Sequence, residues 1–340
     1  MRWRTAGIWI AGFILISSFA PVSYAQKYTI KFATLAPEGS TWLNIMRQFD
    51  RELRAKTNGE VGFRIYAGGV LGDEKDVLRK IRIGQIHAAG FTGVGMGEIA
   101  PEVRILDTPF LFRNYAEVDY IYQKFYDRFA GSFDKHGYVL LGWAEVGFVH
   151  VFTKTKVATL DQLRKVKMWV WEGDPVAEAT FKAFGIQPIP LSVIDVMTAL
   201  QTNMVDAVYT SPLAAVVLQW FTKLNYMMEV PLADAAGAVL ISKRMFKKIP
   251  PAYQDTMKTL ARRYMRQITL QSRKDNASAI ETLKKNGIKI IPTPDPKTLQ
   301  SFYETGAKAR RALVGKFYSA ELLNEVESAL KEFRAKHANN

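Results

Sequence analysis

The stretch Ala67-Gly68-Gly69-Val70-Leu71-Gly72-Asp73-Glu74 joins an apolar run typical of a β-strand to an amphipathic helical segment that ends at Gly84. Three glycines allow positive backbone φ angles in the loop, and the Asp73 carboxylate can accept hydrogen bonds from the unpaired amides that open a helix. Glu74 and Asp76 suit the positive end of the helix dipole. The stretch therefore predicts a strand-to-helix junction, which is where open α/β sheets bind ligands.

Strand and helix patterns alternate on both sides of this junction. Predicted strands cover residues 28–34, 61–67, 86–91, 139–143, 148–153, 166–171, 187–190 and 207–210. Predicted helices cover residues 42–53, 73–83, 118–133 and 174–185. Alternation of this kind predicts an α/β fold with open, mostly parallel sheets.

A long periodic segment begins at Pro250-Pro251 and contains no further proline or glycine until Gly287. A single helix over this segment would extend about 54 Å at the usual rise per residue. Two interpretations are open: two ordinary helices with a break near residues 272–276, or one strut that ties two lobes together. After a proline-rich break, a final helical stretch is predicted to end near His337.

The first 25 residues have the pattern of a secretory signal peptide. Arg2 and Arg4 precede an apolar run over residues 6–19, and Ser23-Tyr24-Ala25 is a small-x-small cleavage site. A membrane anchor is the alternative, but the run is shorter than the roughly 20 apolar residues that span a bilayer. The sequence therefore predicts export to the periplasm with cleavage after about Ala25.

The composition is strongly basic, with a formal net charge of +14, and contains no cysteine. Without cysteine there is no disulfide bond and no lipoprotein attachment site. The lysines and arginines are scattered, for example over residues 258–285, rather than interleaved with aromatic residues as nucleic-acid binding would require. We therefore expect no nucleic-acid partner and interpret the charge as a solvated basic surface. A positive field that attracts anionic solutes or a membrane surface is also compatible with it.

Motifs for covalent or metal chemistry are missing from the sequence. There is no Gly-x-Ser-x-Gly elbow, and the glycine spacing over residues 90–97 is not the Gly-x-Gly-x-x-Gly of dinucleotide sites. The histidines show no paired metal-ligand spacing: His87, His136, His150 and His337. No catalytic residue, metal or cofactor is predicted.

Four segments, in this order, resemble the DctP-type extracytoplasmic solute receptors of TRAP (tripartite ATP-independent periplasmic) transporters. They are residues 67–74, Gly84-Gln85-Ile86-His87-Ala88-Ala89, Thr108-Pro109-Phe110-Leu111-Phe112 and Leu200-Gln201-Thr202-Asn203-Met204-Val205-Asp206-Ala207. The resemblance implies a two-lobed periplasmic binding protein fold with mixed, mostly parallel sheets and a long helix spanning both lobes. It favours the strut interpretation, with lobe I at residues 26–147 plus 237–275 and lobe II at residues 148–236 plus 276–340.

The resemblance also implies a function. A receptor of this kind captures a small organic solute between its lobes and delivers it to the large and small membrane subunits of a TRAP permease, which uses an ion gradient; it is not an enzyme. Two alternatives stay open. One is a receptor for a neutral or zwitterionic solute that serves another transporter or a sensor, and the other is a periplasmic enzyme with Glu145 as a base.

The residues that clamp a carboxylate in this family are replaced. The family carries an arginine in a Lys-Ile-Arg-Val strand, where this chain has Lys167-Met168-Trp169-Val170, and Val149 stands where many members have a second arginine. Val208-Tyr209-Thr210-Ser211-Pro212 replaces the family's Gln-Glu-Asn-Pro element. Both expected cations are therefore missing, and helix N-termini can supply part of their role.

Aromatic residues are expected in the cleft instead. Trp169 and Trp171 share one face of a strand, where they belong either to the core or to the wall of the cleft. We predict a carboxylate solute with an apolar or aromatic part, with a neutral or zwitterionic solute as the alternative. The predicted ligand-binding residues are Trp169, Phe91, Thr92, Glu145, Trp143, Trp171, Glu172, Tyr209, Thr210, Ser211, Glu38 and Asp73.

Overall fold

The computed structural model describes residues 27–337; the predicted signal peptide and its cleavage site lie outside this range. The strands are β1 Tyr28–Ala33, β2 Val61–Tyr66, β3 Ala88–Thr92, β4 Tyr138–Trp143, β5 Gly147–Thr153, β6 Trp169–Trp171, β7 Ile189–Leu191, β8 Ala207–Thr210, β9 Tyr226–Met228, β10 Ala233–Ala235, β11 Gly237–Ser242 and β12 Lys289–Ile291. The α-helices are α1 Thr41–Lys56, α2 Glu74–Arg82, α3 Gly93–Gly97, α4 Tyr115–Lys124, α5 Tyr126–Lys135, α6 Leu160–Leu163, α7 Pro175–Ala183, α8 Val196–Gln201, α9 Pro212–Val217, α10 Lys243–Phe246, α11 Pro251–Lys285, α12 Pro296–Ala312 and α13 Ala320–His337. Three 3₁₀ helices cover Pro101–Asp107, Val193–Asp195 and Trp220–Lys223.

Two main sheets form the centres of two lobes. The first sheet has the order β2-β1-β3-β11-β4, and the second has the order β10-β5-β9-β12 with β8 also paired to β5. We call the parts built around them the first and the second lobe. The short parallel pair of β6 and β7 lies beside the second sheet, to which Met168 connects it through a bridge to Ala207.

Besides its passage along α11, the chain passes between the sheets at two short, adjacent crossings. Residues 144–146 connect β4 to β5, and Ala236 connects β10 to β11. These crossings are bonded to each other, since the Ala144 amide donates to the Gly237 carbonyl at 2.7 Å and the Val146 amide donates to the Ala235 carbonyl at 3.1 Å. Because β5 and β11 run antiparallel to their neighbours, the sheets are mixed as expected but not mostly parallel.

Local sequence signals position the elements that face the gap between the lobes. Asp73 and Asp76 form a reciprocal capping box at the start of α2. Asp174 and Ser211 cap α7 and α9, and in both helices a proline occupies the first helical position, where its fixed φ suits the helix and its missing N–H costs no hydrogen bond. Each of these helices therefore begins at a residue that the sequence identifies.

Two predicted helices are wrong in extent. Residues 118–133 belong to α4 and α5, which meet at Phe125, where φ is −104° and ψ is 12°. The final stretch is also two helices, α12 and α13. Helix α13 packs into the first-lobe core through Leu322, Val326 and Leu330, although residues 276–340 were assigned to lobe II. These three residues recur at helical spacing, and the apolar stripe they form is buried against α4.

Helix α11 is one uninterrupted helix of 35 residues, which confirms the strut interpretation and excludes the alternative of two helices with a break near residues 272–276. It contacts α1 and β4 in the first lobe and β5 and α9 in the second. Asn276, 4% exposed, donates from Nδ2 to the Val146 carbonyl at 2.8 Å and accepts the Leu213 amide at 2.9 Å. Among the described residues, no helix combines the length and the apolar character needed to cross a bilayer.

Replacing Asn276 with alanine should lower the free energy of unfolding by about 2 kcal/mol, because the half-buried Leu213 amide and Val146 carbonyl both lose the partner that ties them to α11. Urea denaturation followed by circular dichroism measures the change. Lys274→Ala, at an exposed position on the same helix, is the matched control and should change stability by less than about 0.5 kcal/mol. Equal effects of the two substitutions would contradict the role given to Asn276.

Candidate functional site

A cavity of about 440 Å³ lies between the two lobes, within the range of pockets that hold small organic ligands. The first lobe contributes residues from 34–42, 90–94 and 104–109, and the second lobe contributes residues from 169–181, 209–220 and 232–235. Its walls are mainly apolar. A solute in this cavity would contact both lobes at once.

Trp169 combines a place in the core with a place in the cavity wall. Its ring stacks on Tyr209 with centroids 5.2 Å apart and meets Trp220 edge-on at 5.3 Å. Its Nε1 donates to the Leu191 carbonyl at 2.9 Å, and the residue is 2% exposed. Trp169 therefore belongs both to the core and to the cavity wall, because it packs against core residues on one side and borders the cavity on another.

A buried ion pair crosses the cavity. Arg104 Nη2 donates to Asp174 Oδ1 at 2.6 Å; Arg104 comes from the 3₁₀ helix of the first lobe, and Asp174 caps α7 in the second. Tyr209 donates to the second Asp174 oxygen at 3.3 Å. Burial by itself would lower the pKa of Arg104, but Asp174 and Asp107 raise it above its usual value, so the guanidinium stays charged.

Asp107 lies beside this pair and has unused hydrogen-bonding capacity. Its Oδ1 accepts the Ala236 amide at 2.8 Å, and its Oδ2 lies 3.4 Å from Arg104 Nε. Neither Oδ2 nor Nε makes a hydrogen bond within the described residues. Burial raises the pKa of Asp107 to about 6, against the opposing effect of Arg104.

Glu74 is a buried carboxylic acid in the first-lobe wall. It is 3% exposed and accepts hydrogen bonds from the Thr92 amide at 2.7 Å, the Thr92 hydroxyl at 3.0 Å and the Gly95 amide at 2.7 Å. Burial raises its pKa to about 7, because these hydrogen bonds offset only part of the desolvation cost. Glu74 thus joins the start of α2 to the end of β3, where Phe91 and Thr92 lie.

Asp73 forms a second contact between the lobes. One carboxylate oxygen accepts the Glu74 amide at 2.6 Å as the cap of α2. The other accepts both Trp171 Nε1 and the Ser192 hydroxyl of the second lobe, each at 2.8 Å. The glycine-containing junction that predicts the fold therefore also joins the lobes.

The predicted site residues divide into two groups. The residues that border the cavity are Trp169, Phe91, Thr92, Trp171, Tyr209, Thr210 and Ser211. The other five lie elsewhere. Asp73 is in the contact just described, Trp143 packs in the first-lobe core, and Glu172 is exposed. Glu38 pairs with Arg47 at the surface, and Glu145 is buried against Arg273, with oxygen–nitrogen distances of 2.6 and 3.0 Å. The ligand-binding roles of all twelve residues stay predictions.

Arg104 and Asp107 are the residues that sequence reasoning missed. They interrupt the otherwise apolar segment Val103-Arg104-Ile105-Leu106-Asp107, which is the signal that could have found them. In a 3₁₀ helix, side chains at positions i and i+3 eclipse each other, so these two point the same way. Among residues 27–337, no group of three or more histidine, cysteine, aspartate or glutamate residues is arranged to hold a metal ion.

The fold is that of the two-lobed periplasmic solute-binding proteins. The structure is similar to that of a TRAP periplasmic solute-binding protein from Pseudomonas putida F1, solved with bound D-glucuronate, with a TM-score of 0.81 over 88% of this chain and 96% of that chain at 24% identity. The predicted fold class is thereby confirmed.

The family follows from the sequence comparison. The family model described as bacterial extracellular solute-binding protein, family 7 (DctP), matches residues 32–315. The chain belongs to this family, which confirms the resemblance. It is 29% identical over 255 residues to a solute-binding protein of Verminephrobacter eiseniae, covering 73% of this chain and 74% of the relative. It is 25% identical over 308 residues to the 2,3-diketo-L-gulonate-binding periplasmic protein YiaO of Escherichia coli, covering 87% and 90%.

The raised pKa of Glu74 predicts a pH-dependent effect of Glu74→Gln. Because the pKa of Glu74 in the folded protein, about 7, lies above its ordinary value of 4.5, the folded wild type binds this proton more tightly than the unfolded chain, and its stability falls as pH rises between those values. The glutamine side chain of Glu74→Gln does not titrate, so the variant does not lose stability in this way as pH rises. Its stability relative to wild type should therefore increase by about 3 kcal/mol from pH 5 to pH 8.

Urea titrations of both proteins across this pH range measure that difference. Glu98→Gln replaces a half-exposed partner of Lys75 and is the control. A stability difference between Glu74→Gln and wild type that does not vary with pH would contradict the assignment.

Proposed function

We propose that this protein is a periplasmic receptor that captures one small organic solute between its lobes and delivers it to a TRAP permease composed of a large and a small membrane subunit. The proposal is carried by the cavity, whose wall is drawn from both lobes. Membership of the solute-binding family and the absence of covalent machinery in the sequence support it.

The solute is a small carboxylate with an apolar or aromatic part. Trp169, Tyr209 and Phe181 offer ring surfaces in the second-lobe wall, and Arg104 supplies a guanidinium, the group that proteins use to bind carboxylates. Two similar proteins support an acidic solute. The one from Pseudomonas putida F1 was solved with bound D-glucuronate, and YiaO of Escherichia coli is named for binding 2,3-diketo-L-gulonate. The cation thus comes from the first lobe instead of the strand at Trp169.

Binding is coupled to closure of the two lobes. The crossings at residues 144–146 and at Ala236 are short, so they are suited to act as a hinge. A solute that contacts both walls stabilises the closed arrangement, in which Arg104 reaches Asp174. The permease then distinguishes loaded receptor from empty receptor by the relative position of the lobes.

The enzyme alternative receives no support from Glu145. Both of its carboxylate oxygens accept hydrogen bonds from Arg273, and it does not border the cavity. A receptor for another transporter or sensor is distinguished by uptake assays. Ion-gradient-driven uptake into vesicles that contain both permease subunits, dependent on this protein, supports the TRAP assignment.

Ligand binding should depend on Trp169 and not on Trp143. A thermal-shift screen of organic acids, aromatic acids, amino acids and polyols finds the ligand, because a specific ligand raises the melting temperature. Trp169→Phe should then weaken affinity about tenfold in titration calorimetry, because it reduces the ring surface in the wall and removes the hydrogen bond to Leu191.

Trp143→Phe is the matched control, because it truncates an aromatic residue of the first-lobe core that does not border the cavity. The affinity of Trp143→Phe for the solute should equal that of wild type. Loss of affinity in Trp143→Phe with none in Trp169→Phe would show that the solute binds elsewhere, and a screen in which no solute binds would reject the receptor proposal.

The contact at Asp73 should favour the closed form. Trp171→Phe combined with Ser192→Ala removes both donors to its outer carboxylate oxygen while leaving the Asp73 cap of α2 in place. Small-angle scattering of the ligand-free variant should show a larger radius of gyration than wild type, and solute affinity should fall about fivefold. Unchanged scattering together with unchanged affinity would show that this contact does not bias closure.

A further inference from the structure

The charged residues that border the cavity are mostly acids. One arginine, Arg104, lies among four acids, which are Glu74, Asp107, Asp174 and Asp234. The same chain carries 46 lysines and arginines against 32 acids. The surplus of acidic residues is therefore local to the site.

Unused hydrogen-bonding capacity lies on both members of one ion pair. Arg104 is already bonded to Asp174, and Asp107 is bonded to the Ala236 amide. Arg104 Nε and Asp107 Oδ2 are 3.4 Å apart, buried and without a hydrogen bond in the described chain. A buried donor and a buried acceptor left unpaired are costly, so such groups usually indicate a missing partner.

The positions of the two groups are fixed by the backbone. Both residues are on one face of the 3₁₀ helix, and Asp107 lies over Gly93, where a Cβ would be 1.7 Å from its Oδ2. A positively and a negatively charged group are thus held side by side at the edge of an apolar cavity. The complementary arrangement on a small molecule is a carboxylate and an ammonium on neighbouring atoms.

We propose that the solute is an α-amino acid with an apolar or aromatic side chain, whose carboxylate pairs with Arg104 and whose ammonium pairs with Asp107. This inference rests on the proposed receptor function and specifies its substrate class. The side chain of the amino acid lies against Trp169 and Tyr209. A carboxylate without nitrogen would leave Asp107 unpaired, and an amine without a carboxylate would leave Arg104 unpaired.

The pairing makes binding dependent on pH, because Asp107 must be ionised to accept the ammonium. The charged and titratable groups that face Asp107 are Arg104 on its own helix, Asp174 on α7, Asp234 on β10 and Tyr122 on α4. Since burial raises the pKa of Asp107 to about 6, amino-acid affinity should fall as pH drops below that value. Affinity for an acid without nitrogen should not fall in this way.

Matched probes test the inference by titration calorimetry at pH 7.5. The probes are L-phenylalanine, 3-phenylpropanoate, 2-phenylethylamine and 3-phenylpropanamide, with the corresponding set built on L-leucine. One of the two amino acids should bind roughly 30-fold more tightly than each of its three analogues. Asp107→Asn should remove most of that preference and leave affinity for the acid analogue unchanged or higher.

Asp127→Asn, an exposed aspartate of the first lobe, is the matched control and should keep the preference. Because Asp107→Asn could misfold, the role of Asp107 is also tested on wild type alone. The affinity of wild type for the amino acid should fall about tenfold from pH 7 to pH 5. Equal affinity for the acid or the amide analogue, or binding confined to compounds without an α-amino acid group, would overturn the inference and leave the receptor function standing. Absence of binding by every compound, including the wider screen, would overturn both.

Discussion

The buried ion pair between Arg104 and Asp174 is the interaction on which the arrangement of the site depends. Removing two charges from water is costly, and a buried pair recovers that cost only when further hydrogen bonds satisfy both partners. Asp174 meets this condition, because it also caps α7 and accepts the Tyr209 hydroxyl. Arg104 meets it only in part, since its Nε lacks a hydrogen bond within the described residues. The pair therefore fixes the distance between the lobes and leaves capacity for a further partner.

Residues that begin helices connect local structure to the site. Asp73 and Asp174 each cap a helix through one set of contacts and reach the other lobe through another. A cap is determined by a few neighbouring residues, so the sequence identifies it directly. The contact with the other lobe depends on how the two sheets are placed, which the crossings at residues 144–146 and Ala236 determine. Each of these aspartates thus has one role that the neighbouring sequence predicts and a second role that it does not predict.

The same distinction explains what the sequence could predict. The predicted strands and helix caps follow from periodicity and from prolines and glycines, and the structure agrees with them. The same signals leave one or two helices open over residues 250–287, and the family resemblance favours the single helix that the structure has. The joint at Phe125 and the packing of α13 on the first lobe depend on which apolar stripe finds a partner, and the local pattern does not specify this. In the site, Trp169 and Tyr209 were found through a family position, whereas Arg104 was missed because its partner Asp174 is 70 residues away along the chain.

In the proposed site the cation lies in the first lobe, and not at the second-lobe position where the resemblance predicts an arginine, which changes how the site can select a solute. At the position where the resemblance predicts an arginine, Trp169 places a ring that packs against Tyr209 and Trp220 and carries no charge. Arg104 occurs instead between Asp174 and Asp107, and their negative charges offset its field. An anion entering the cavity therefore does not meet an uncompensated guanidinium. Attraction between opposite charges alone is too weak a basis for selection here, and the fit of an apolar body against the aromatic wall must contribute a larger share of the binding free energy.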